Sequence, residues 1–104
     1  MAITALSVRP RSYVIQSDRG SPDPTIFTVR SLDLFEFSEI QHGFRGQEDK
    51  IDTAVMLEKY LTKGLLGWQN LKDIDGLDLP FTRENVRLLP IKIVTEIVNE
   101  ITGT

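Results

Sequence analysis

The chain has 104 residues, a formal charge of −3, one His and no Cys, with 40% hydrophobic and 26% charged residues. That length suits one domain, residues 1–104, with a single core and little to spare for a second. Without Cys there are no disulfides or thiolate metal sites, no apolar run approaches the roughly 20 residues of a membrane span, and the negative balance supplies no global field for a phosphate backbone.

The N-terminus lacks a basic stretch followed by a long apolar one, so it does not read as a secretory signal. Ile3, Leu6 and Val8 give residues 1–10 a mildly apolar character that fits either an edge strand or a surface segment. Ser12–Ser17 and Pro24–Arg30 are rich in β-branched and aromatic residues and read as two strands. The connector between them, DRGSPDP, is too short for a helical crossover, so the pair is expected to be antiparallel. Arg9, Arg11, Arg19 and Arg30 concentrate in this first third. They read first as charges guarding strand edges, and second as a local nucleic-acid surface.

The period then changes. Asp33 and Glu36 stand in capping-box spacing, with Leu34, Phe37 and Ile40 on one face of a helix over about Leu34–His42. Gly43 stops it, Gly46 closes the loop, and Phe44 between them is expected to fold onto the core. Ile51, Ala54, Val55, Glu58, Leu61 and Leu65 trace the stripe of a long second helix, widened by Met56, Leu57 and Tyr60. Glu48, Asp49 and Asp52 at its start, with Lys59 and Lys63 towards its end, match the helix dipole. Gly64 or Gly67 terminates it.

Gly67–Pro90 is the best-specified stretch. Asp75-Gly76 supplies a turn, Pro80 holds Leu79 extended, and Thr82 caps a helix whose first turn carries Glu84. Pro90 interrupts the apolar stripe Val86, Leu89, Ile93, Val94, Ile97, Val98 and Ile101, which predicts a short helix, a break near Leu89 and a second helix, or else one kinked helix. The fold class is therefore α+β: an N-terminal antiparallel hairpin packed against a helical C-terminal two-thirds of three to four helices. Ile15 or Val14, Phe27 or Ile26, Leu57, Leu61, Trp68, Phe81, Val86 and Ile97 are the expected core.

Candidate chemistry is sparse. Asp73, Asp75 and Asp78 lack the spacing of an EF-hand loop, and His42 at a helix end reads as a favourable C-terminal charge. No nucleophile elbow or phosphate-cradling glycine loop is present. The chain is not expected to be an enzyme or to carry a cofactor or metal. Trp68 reads as a core anchor first and an interface residue second. Ile91 and Val98, seven residues apart, fall to one side of the C-terminal stripe and form a candidate partner surface together with Trp68.

The run Tyr13–Leu32 and the stretch Gly64–Pro90, with Trp68, Asp75-Gly76, Pro80-Phe81-Thr82 and Glu84-Asn85 in order, resemble small proteins encoded among tailed-phage virion genes. These are the tail assembly chaperones and minor structural proteins. The resemblance covers nearly the whole chain and implies a protein of virion morphogenesis that works by binding other tail proteins, such as a tape-measure or tail-tube protein, or a second copy of itself. It implies the host cytoplasm during assembly, or the virion if the chain is a structural component instead. No frameshift-extended second half is visible, so the chain reads as a short form. Nothing catalytic carries over, and Trp68 with its neighbours is a structural signature. A small nucleic-acid-binding regulator using the N-terminal arginines is the remaining alternative.

Overall fold

The computed structural model describes residues 9–43 and 53–103. The expectations for residues 1–8, for Phe44 and Gly46, and for the helix start at Glu48, Asp49, Ile51 and Asp52 lie outside the described residues. Within them the fold is α+β, with β1 (Arg11–Tyr13), β2 (Ile26–Val29), α1 (Leu34–His42), α2 (Thr53–Gly64), β3 (Leu65–Gln69), α3 (Arg83–Val86) and α4 (Ile91–Thr102). The strands form one antiparallel sheet in the order β1-β2-β3.

The expected hairpin is thus two strands of a three-stranded sheet, and its first strand is shorter than its composition suggests. Gln16–Asp18 leave the extended conformation as a 3-10 turn. Glu96 of α4 takes the local donors, its Oε2 accepting from the Gln16 amide at 2.8 Å and from the Tyr13 hydroxyl at 2.6 Å, and the turn's own Asp18 accepts through Oδ2 from the Thr25 amide at 2.7 Å.

β3 is a departure from the sequence reading, which continued the α2 stripe through Leu65. The strand pairs Phe27 with Trp68 and Val29 with Leu65, and a register shift between Thr28 and Val29 leaves Leu66 as the extra residue of a bulge. Gly64 decides where the helix gives way. A Cβ there would lie 2.5 Å from the Ile101 side chain, so α2 and α4 approach at a point only glycine fills, and the Gly64 carbonyl accepts from the Arg30 amide at 2.9 Å. Helix runs into strand without a loop residue between them.

The core joins the inward residues of the sheet to both long helices: Ile15, Phe27, Val29, Ile40, Tyr60, Leu61 and Leu65 pack with Leu89, Val94, Ile97, Val98 and Ile101. Burying each aliphatic side chain of α4 is worth about 1.5–3 kcal/mol, so this helix stabilises the fold as much as any element. Ile15, Phe27, Leu61 and Ile97 are buried as expected, while Leu57, Trp68 and Val86 are half-buried against the core. Phe81 is a correction. Extended backbone after Pro80 leaves it at the rim, 41% exposed, where its ring meets Trp68 edge-on at 4.8 Å.

The local signals hold. Asp33 and Glu36 form a complete capping box, and Thr82 Oγ1 accepts from the Asn85 amide at 3.1 Å. Pro90 breaks the stripe: α3 is a single turn, and α4 begins at Ile91. Gly76 sits at φ +80° in a small hairpin spanning residues 71–79, where Asp73, rather than Asp75, organises the turn. Its Oδ1 accepts from the amides of Asp75 at 2.8 Å and Leu77 at 3.0 Å.

Candidate functional site

A groove of about 470 Å³ lies between α2 and the α3–α4 segment. Sequence and fold build it in a simple way. Thr82 starts α3, Pro90 stops its continuation, and the resulting bend sets Val86 and Leu89 opposite Leu57 and Leu61 of α2. Leu61, Leu89 and Val94 form a buried floor, and Ile91, 65% exposed, stands at the mouth. Glu58 and Arg87 close one rim with a 2.9 Å ion pair, which raises the Arg87 pKa through the hydrogen bond to Glu58.

The groove continues along α2. A hollow of about 210 Å³ shares Glu58, Leu61 and Val86 with it and adds Thr62, Leu65, Phe81 and Arg83. A further hollow of about 410 Å³ adds Glu39, Ile40, Val55, Lys59 and Lys63. The α2–α4 groove itself has one mutually paired couple of charges in its lining, Glu58 with Arg87, while Lys59, Lys63, Arg83 and Glu39 line the neighbouring hollows.

Of the three residues the sequence singles out, only Ile91 belongs to this surface. Val98 is a correction: it is 7% exposed and packs in the core, because α4 turns its Val94, Ile97, Val98 and Ile101 face wholly inward. A helix with this much apolar surface uses it on its own domain. Trp68 is committed within the fold, its indole N–H donating to the Leu79 carbonyl at 2.7 Å and its ring edge-on to Phe27 at 6.3 Å. Leu57, Leu61, Val86 and Leu89, which the sequence reads as core or as a helix stripe, supply the groove instead.

Arg11, Arg19 and Arg30 serve the fold. Arg11 bonds Glu100 and the buried Ser31 hydroxyl, and Arg19 lies over the Tyr13 ring at 5.4 Å. Arg30 grips Glu36 through both carboxylate oxygens, at 2.9 and 2.5 Å. That pairing holds the Glu36 carboxyl down at about 2. A polar hollow beside α4 is occupied by its own bonds: Glu96 already serves Tyr13 and Gln16, and burial together with that carboxylate pushes the Tyr13 hydroxyl up to about 12.

Among the described residues no group of three His, Asp or Glu side chains is arranged to hold a metal ion. Among them, too, no helix is long and apolar enough to cross a membrane. What the arrangement offers chemically is an apolar cleft with a charged edge. Comparison with protein-family models, with curated proteins and with solved structures finds no match for this chain.

Proposed function

We propose that the chain is a phage virion-morphogenesis protein of the tail assembly chaperone kind, which holds an apolar segment of a tape-measure or tail-tube protein in the groove between α2 and α4. The observation that supports binding is the groove itself. Its volume falls in the range of sites that take ligands, its floor is aliphatic, and two helices lining one cleft is the setting in which an amphipathic partner helix docks. The phage context rests on the resemblance carried by Tyr13–Leu32 and Gly64–Pro90.

Titration calorimetry with purified tape-measure and tail-tube proteins of tailed phages tests the reading. Ile91→Asp should weaken the interaction by more than about tenfold while leaving the thermal midpoint near the parent's, because it sets a charge at the mouth of an apolar cleft. No binding to either protein, or equal binding by the variant, would refute it. Mass spectrometry of purified particles separates the two virion roles: the chaperone leaves no stoichiometric peptides, whereas a structural component does.

A further inference from the structure

α3 is lightly anchored. It is a single turn, Arg83–Val86, in which no residue is fully buried, with Pro80 ahead of it and Pro90 behind. Two polar contacts tie it across the cleft to α2. Arg87, its C-cap, bonds Glu58 at 2.9 Å, and Arg83, its first residue, donates to the Thr62 hydroxyl at 3.3 Å. Glu58 and Thr62 stand one turn apart on α2, as Arg83 and Arg87 do on the other wall, so the contacts form two parallel rungs. Both lie at the surface, where water competes for each partner and such a contact adds little.

Beneath the rungs the floor is continuous. Leu57, Leu61 and Leu65 follow at helical steps, lining first the α2–α4 groove and then the hollow of about 210 Å³ beyond it. Glu58, Leu61 and Val86 border both spaces. Leu61 is buried and Val86 half-buried, whereas the bond from Arg87 to Glu58 lies at the surface. The two spaces are therefore one apolar channel divided where α3 crosses to α2. We infer that α3 is a strap over this channel, which lifts when the Glu58–Arg87 and Thr62–Arg83 rungs part and closes when they re-form. With the strap down an occupant reaches only the groove at the Ile91 end; with it raised the same segment lies along Leu57, Leu61 and Leu65. The inference rests on the groove being the binding site proposed above, and it makes the affinity of that site depend on two surface contacts. A site open for part of the time binds in proportion to that part, so weakening the rungs strengthens binding.

The test uses Nile red, an apolar dye without charge, so that changes in the protein's charge do not act on the probe directly. Fluorescence titrations compare the parent with Arg87→Gln, Glu58→Gln and the double variant Arg83→Gln/Arg87→Gln. Either single variant should bind the dye about two- to fivefold more tightly than the parent, and the double variant more tightly still. Raising sodium chloride should tighten the parent more than the double variant, since only the parent has this ion pair for salt to screen. Thermal midpoints near the parent's separate this gain from a general loosening of the fold. Equal or weaker binding in the variants, or an equal response to salt, overturns the strap. Ile91→Asp should weaken dye binding in parent and rung variants alike. Binding indifferent to Ile91→Asp refutes the groove and takes the strap with it, whereas dependence on Ile91 without any gain from the rung variants defeats the strap alone.

Discussion

Two glycines differ in what a methyl group would cost. Gly76 has open space around the position of a Cβ, so Gly76→Ala carries only the strain of φ +80°, about 1 kcal/mol. Gly64 is the reverse case, with the Ile101 side chain in the way, and Gly64→Ala should cost about 1–3 kcal/mol by forcing α2 from α4. Urea melts of the two variants check this, with a lower midpoint for both and the larger drop for Gly64→Ala. Glu36 governs acid sensitivity. Its carboxyl titrates at about 2 in the folded chain against an ordinary 4.5, chiefly because Arg30 bonds it, so the unfolded chain takes up the proton first. The stability from this pair is whole above about pH 4.5 and is lost as the pH falls from there through about 2. Glu36→Gln should therefore melt below the parent at pH 7, and the difference should vanish by about pH 2; a gap that persists there assigns the effect to the capping box instead.

At the scale of elements, α4 divides its apolar residues sharply. Val98→Glu buries a charge without a partner and should cost about 3–5 kcal/mol, against about 0.5 kcal/mol or less for Ile91→Asp on the exposed side. Thermal melts at pH 7 distinguish the two, and a stable Val98→Glu protein would return Val98 to the surface. The elements legible in the sequence are those whose signals are local. Asp33 with Glu36, Thr82 before Asn85, and Pro90 each act through groups within a few residues, and the bounds of α1 and the break before α4 follow from them. β3 was hidden because Leu65 and Leu66 continue a helical period and become strand only by pairing with β2, which lies far away in sequence. The apolar period of α2 points towards Ala54 and Val55, whereas the buried line runs through Tyr60, Leu61 and Gly64, and Gly64 has no hydrophobic side chain to announce it. The groove was illegible for a related reason. Its walls come from α2 and α3–α4, and only the fold sets Leu57 opposite Val86.

Across the whole molecule, three segments distant in sequence meet around residues 30–32. The Arg30 amide donates to the Gly64 carbonyl, the Leu32 amide donates to the Ile101 carbonyl at 3.2 Å, and the buried Ser31 hydroxyl accepts from Arg11. The sheet, α2 and α4 are fastened at one place, at the Gly64 end of α2, whereas the groove opens at Ile91. A partner held in the groove as proposed would enter at that open end, so Ile91→Asp should weaken its binding.

The direct passage of α2 into β3 at Gly64 makes the molecule its own optical gauge. With no loop to absorb movement, a tilt of α2 caused by an occupant against Leu57 and Leu61 passes into the strand that holds Trp68, the only tryptophan of the chain. Its indole is set between Phe27 and Phe81 and tethered to Leu79, surroundings that colour its emission. Filling the groove should shift the emission maximum of unlabelled protein in proportion to occupancy; saturation without any spectral change would mean that the helix-to-strand joint yields.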